Sequence, residues 1–171
     1  MASTAPGESA GPVLILRPDG EAPGDDLDIL RECLSRAGLR GVESEAGSRA
    51  GSEFSALVVR GALAAGGYLN GDASSPELLD PRVAAGIRTF FHAGKPIAAP
   101  CMGLAVVVEA LADLLPPSLI LLAESAGGAT AVYPALRLVT TSRPLIGRPP
   151  AEVATALGEV AIELRRLVQD C

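Results

Sequence analysis

The sequence predicts an α/β fold, a doubly wound sandwich around a mostly parallel central sheet. Three observations carry that prediction. Short aliphatic runs such as Val13–Leu16 (VLIL), Ala56–Val59 (ALVV) and Pro96–Ala99 (PIAA) alternate with segments whose apolar residues recur at helical spacing. The runs are apolar throughout, as expected of strands covered on both faces. The chain is 49% hydrophobic but only 3% aromatic, so its interior must be built from Val, Leu, Ile and Ala, which suit a pleated sheet.

The elements follow in order. Residues 1–11 are small and polar and are expected to be disordered, leaving 12–171 as one domain. After the Val13–Leu16 strand, RPDGEAPGDD is a loop that ends in Asp25 or Asp26, either a suitable helix cap. Leu27, Leu30, Leu34 and Ala37 then share a helix face, and Gly38 stops the helix. Gly41–Glu43 reads as a weak edge strand and Ala56–Val59 as a central one. Beyond the Gly/Ala-rich loop 60–72, Asp80 caps a helix with Pro81 in its first turn; Val83, Ile87, Phe90 and Phe91 form its apolar face, and Gly94 ends it.

Pro96–Ala99 is the next strand, followed by a helix from Cys101 to about Leu115 that Pro116 and Pro117 break. Ser118–Leu122 and Leu136–Thr140 read as two further strands. A last helix from about Pro150 buries Val153, Leu157, Val160, Ala161, Leu164 and Val168. Right-handed crossovers turn this alternation into a sheet with helices on both faces. In such sheets sites form beyond the carboxyl ends of the strands, here at Arg17–Asp26, Arg60–Asp72 and Pro100–Gly103.

Charge and composition exclude several functions. A net charge of −6 without a basic run argues against nucleic acid and anionic membrane partners. The longest apolar stretch, Met102–Val108, is too short to span a bilayer, and the N-terminal residues resemble no targeting signal. Cys33, Cys101 and Cys171 share no metal-ligand spacing, and His92 is the one histidine, so neither a metal nor a disulfide framework is expected. A reducing compartment, the cytoplasm, fits such cysteine use. The glycines at 61–71 match no phosphate-binding spacing, which leaves a nucleotide-binding module without support and no cofactor implied.

Cys101 is the candidate for chemistry. It ends a strand and opens a helix, where free N–H groups and the helix dipole stabilise a thiolate. Pro100 fixes the chain entering the turn, and Ala98, Ala99 and Gly103 keep it tight. The alternative is a buried, inert cysteine. Glu21, in the first loop, is the candidate acid or base, set against an ordinary solvated loop residue. Gly61, Ala62 and Met102 are expected to lie beside the turn and line an oxyanion pocket. His92 reads as a helix C-terminal cap at the far end of the strand, so no Cys–His dyad is expected.

SALVVRGALAAGGYL (55–69), VAAGIRTFFHAGKPIAAPCMGLAVVVEAL (83–111), RLVTTSRPLIG (137–147) and ATALGEVAIELRRLV (154–168) together resemble the DJ-1/PfpI superfamily, a class of glutamine amidotransferase-like domains. The order of the blocks is similar to the ElbB/ES1-type branch. The resemblance implies a flavodoxin-like sandwich, a homodimer, and Cys101 on the family's nucleophile elbow. It also implies glyoxalase chemistry in some members, in which the thiolate adds to a 2-oxoaldehyde and a Glu moves protons during rearrangement to a hydroxy acid.

This chain departs from that pattern. Glu21 stands one residue before the position expected for the acid, which Ala22 occupies. Arg60, Ala62 and Gly67 replace a Pro, a Gly and a Lys, and Met102-Gly103-Leu104 follows the cysteine in place of the usual sequence. No His follows Cys101, so a glutamine amidotransferase triad is impossible. The expectation is a shortened, weakly active or non-catalytic member acting through dimerisation, partner binding or cysteine oxidation. The alternative is a cofactor-independent glyoxalase using Cys101 and Glu21 on a small aldehyde.

Overall fold

The computed structural model describes residues 11–17, 25–45, 52–61, 79–115, 118–119, 130–143, 145 and 147–170. Its centre is a six-stranded sheet in the order β2-β1-β3-β4-β6-β5. The strands are β1 (Val13–Arg17), β2 (Gly41–Glu45), β3 (Ala56–Val58), β4 (Ile97–Pro100), β5 (Thr130–Tyr133) and β6 (Leu138–Thr141). The first five in that spatial order are parallel, and β5 joins antiparallel to β6. The doubly wound, mostly parallel α/β sandwich is therefore the fold.

Two helix pairs cover the sheet. The helices are α1 (Asp25–Arg36), α2 (Pro81–His92), α3 (Gly103–Ala110) and α4 (Pro150–Gln169). Residues alternate along each strand between the two cores. Val13, Ile15, Ala56, Val58, Ala98 and Val139 pack with Leu27, Leu30 and Leu34 of α1 and Val160 and Leu164 of α4. Leu14, Leu16, Leu57, Val59, Ile97, Ala99 and Leu138 pack with Val83, Ile87 and Phe90 of α2 and Leu104, Val106 and Val107 of α3. Burial on both sides is the reason these strands are apolar without alternation.

The helix ends have specific partners. Asp80 accepts from the Arg82 N–H at 2.9 Å and caps α2. Gly38, at φ 78, turns the chain out of α1, and its carbonyl accepts from Arg165 at 2.7 Å. Lys95 ties the amino end of the sheet, donating to the carbonyls of Ser52 and Phe54 over the Phe90 ring. At one end of the sheet, β2 carries Glu43, 3.7 Å from Arg31, and Glu45, 3.5 Å from Arg17.

Four expectations need correction. The Cys101 helix ends at Ala110 rather than near Leu115, because the Ala110 carbonyl accepts from Arg88, which also grips Asp113. The strand expected at Leu136–Thr140 begins at Leu138: Pro134–Leu136 is a 3₁₀ turn and Arg137 is left-handed at φ 51. In the strand expected at Ser118–Leu122, Ser118 is a turn and Leu119 helical and buried, and the rest lies outside the described residues. Short apolar runs suit either element equally. β5 is the strand that was not anticipated, being half-buried and short. Residues 1–10 of the N-terminal segment lie outside the described residues, while the Gly11 carbonyl accepts from Ser55 Oγ at 2.6 Å.

Candidate functional site: the Cys101 elbow

β4 leaves the sheet at Pro100, and the chain reverses at Cys101 into α3. Cys101 has φ 52, one of two non-glycine residues with a left-handed backbone among those described. A side chain in that conformation crowds its own carbonyl, at a cost of about 1–2 kcal/mol. Neighbouring strands hold it there. The Cys101 N–H donates to the Thr141 carbonyl at 2.7 Å, and the Cys101 carbonyl accepts from the Leu104 N–H at 3.1 Å. Thr141 is itself fixed: its Oγ1 accepts from the Arg143 N–H, and the preceding Thr140 donates to the Ala99 carbonyl at 2.6 Å. The thiol side chain is half-buried.

The turn is closed from the other side by β3. A Cβ at position 103 would lie 2.0 Å from the Val59 carbonyl oxygen, so only glycine lets α3 start this close to the sheet. Gly61 repeats the arrangement more gently, where a Cβ would lie 2.7 Å from Met102 Cβ. Gly61 and Met102 are thus brought together beside Cys101, as expected from sequence. Met102 precedes α3 without a side-chain hydrogen bond to its first turn, leaving those N–H groups uncapped by a side chain.

The other candidates fall elsewhere. Glu21 and Ala62 lie outside the described residues. Asp26, at the start of α1, pairs with Arg60 at 2.9 Å. His92 is exposed in the last turn of α2, at the opposite end of β4 from Cys101, with its ring edge-on to Phe91. Cys33 is buried, donates to the Ala154 carbonyl at 3.5 Å, and has its thiol pushed up by burial. Among the described residues no group of three or more His, Cys, Asp or Glu could hold a metal. No helix among them is long and apolar enough to cross a membrane.

Sequence reasoning missed two parts of the site. Thr141 contributes through a backbone carbonyl, which no side-chain motif announces; its nearest signal is the paired threonines ending an apolar strand. The guanidinium of Arg60 is 8% exposed at the carboxyl edge, a placement that its loop-like composition conceals.

Neither a family model nor a curated protein matches the sequence. Solved structures do. The isoprenoid biosynthesis protein with amidotransferase-like domain from Ehrlichia chaffeensis is similar with a TM-score of 0.64 and 16% identity, covering 94% of this chain and 99% of that one. The protein VC2308 gives 0.56 at 18% identity, over 94% and 92%. A two-domain protein with DJ-1/ThiJ/PfpI-like and ferritin-like domains from Anabaena variabilis gives 0.51 at 17% identity, over 86% of this chain and 55% of that longer one. This chain has the DJ-1/PfpI fold. The Cys101 turn, a strand running through a left-handed residue into a helix, lies at the carboxyl edge of this chain's sheet.

Proposed function

We propose that this chain is a divergent DJ-1/PfpI-type protein that works through a reactive thiol at Cys101, which adds to small electrophiles, oxidants and aldehydes, with little or no turnover. The strained backbone of Cys101 is the observation that supports this reading. Strain of this kind persists only where the surroundings over-determine it, and it collects at functional positions. Thr141 and Gly103 over-determine it here. A cysteine kept merely for packing, like Cys33, needs no such backbone. Among the described residues, Asp26 is committed to Arg60 and His92 is at the opposite end of β4 from Cys101, which supports little turnover. In this reading the protein is a cytoplasmic homodimer, with Cys33 and Cys101 kept as free thiols.

The test is modification of the folded protein by iodoacetamide and by dilute hydrogen peroxide, with sites assigned by peptide mapping. Cys101 is expected to react well ahead of Cys33, and equal rates would refute the reading. Sedimentation at several concentrations checks the dimer.

The glyoxalase is the second reading, favoured by the first turn of α3, which has no side-chain cap and could receive the alkoxide formed when a thiolate adds to an aldehyde. Multiple turnovers of methylglyoxal to lactate, lost in both Cys101→Ser and Glu21→Gln, would put this reading first.

A further inference from the structure

The two outer strands of the sheet are unlike. β2 carries Glu43 and Glu45, whereas β5, on the other side, reads Thr130-Ala131-Val132-Tyr133 without a charge. Among the described residues β5 pairs only with β6, and its four residues are half-buried. An uncharged outer strand of this composition is a ready template for another strand. A groove of about 450 Å³ runs between β5 and α4, lined by Thr130, Val132, Arg143, Glu159, Ile162 and Glu163. Ile162 is 51% exposed, one of two large apolar side chains so exposed among those described.

The charges around Ile162 suit a second copy. Glu159 precedes it by three residues and Arg166 follows it by four, so the two flank it along one face of α4. When two such helices lie antiparallel about a two-fold axis at Ile162, each copy's Glu159 comes to the other's Arg166. Their present contacts are compatible with this. Arg166 is exposed beside Glu163 at 2.6 Å, and Glu159 accepts from Thr130 Oγ1 at 2.9 Å with Arg143 at 3.4 Å. Exposed ion pairs contribute little, and a carboxylate takes several donors at once.

We propose that β5 and the Ile162 flank of α4 form a self-complementary interface for a second copy of this chain. β5 pairs antiparallel with its counterpart across the two-fold axis. The two Ile162 side chains fill the joined grooves over Val132, and the Glu159–Arg166 pairs close the rim on either side. A two-fold contact uses the same surface on both copies, so it closes on itself. The proposal rests on the homodimer reading above and assigns the surface that makes the dimer.

The experiment is sedimentation of the full chain over a range of concentrations, with circular dichroism to check the fold of each variant. Ile162→Arg is expected to weaken the dimer about thirtyfold or more. Leu114→Arg, at the other exposed large apolar side chain, should leave it unchanged. Glu159→Arg and Arg166→Glu should each weaken it about fivefold or more, since like charges then meet twice across the axis. Mixing those two single variants should restore the affinity, because opposite charges face one another in the mixed dimer. A dimer that survives Ile162→Arg, or that Leu114→Arg breaks equally, overturns the inference and leaves the homodimer reading standing. If Ile162→Arg does not fold, the charge variants decide: a mixture that regains affinity supports the inference, and one that does not overturns it. A wild type that stays monomeric at every concentration overturns both.

Discussion

The backbone N–H of Cys101 donates to the carbonyl of Thr141 at 2.7 Å, continuing the β4–β6 ladder one residue past the last paired strand position. The bond uses the one main-chain donor that the cysteine owns. An anion formed at this thiol must therefore find its donors further on, in the first turn of α3. It also means that the elbow is held by the sheet.

Relief of the left-handed backbone at Cys101 should be measurable. Cys101→Gly removes the Cβ that makes φ 52 costly, and is expected to stabilise the protein by about 1 kcal/mol in urea unfolding while abolishing thiol modification at this position. Cys101→Ser should abolish modification with stability unchanged, which separates chemistry from strain.

Gly103→Ala tests the approach of α3 to β3. Its Cβ would stand 2.0 Å from a backbone oxygen that cannot rotate away, so either the helix start or the strand end must move. A loss of about 3 kcal/mol or more is expected, near the upper end of overpacking effects. Iodoacetamide modification of Cys101 should change with it, whereas Gly158→Ala, at a helical glycine with nothing within 4 Å, serves as the control.

Asp113 accepts from both terminal nitrogens of Arg88, at 2.8 and 2.9 Å, and this hydrogen bonding holds its carboxyl down to about 2. The folded value lies below the unfolded one. The contribution to stability is therefore complete above about pH 4 and is lost as pH falls toward 2. The stability difference between wild type and Asp113→Asn is expected to shrink over that interval and to shrink also with added salt, since the pair is exposed. Urea unfolding at several pH values gives the comparison.

Cys33 offers a reporter of the opposite kind. Its side chain is buried between α1 and α4 and its thiol is raised by burial. Modification of Cys33 should track global unfolding, rising with urea in step with loss of structure, whereas Cys101 should react in the folded state. Modification of Cys33 well before the unfolding transition would show α1 to open separately.

Much of the fold was legible because most of the parallel strands are buried on both faces and so read as plain aliphatic runs. Val13–Leu16 and Ala56–Val59 needed no further context, and the caps at Asp80 and Gly38 announced their helices. What failed to show was set by tertiary partners. The end of α3 depends on Arg88 reaching the Ala110 carbonyl from another helix, and β5 is half-buried, without a pattern of its own. The elbow was legible as Cys101 between a strand and a helix. Its left-handed backbone was not, because that conformation is imposed by Thr141 and Val59, 40 residues away on each side within a few positions.

The sheet ends on β2 with Glu43, Ser44 and Glu45 in succession. A strand from another copy laid beside it would meet acid against acid, and would have to compete with Arg31 and Arg17 for the same carboxylates. Such charges are how natural sheets discourage growth at an open rim. A fold whose strands are otherwise nearly pure aliphatic carries, at this margin, its own guard against polymerising into fibres.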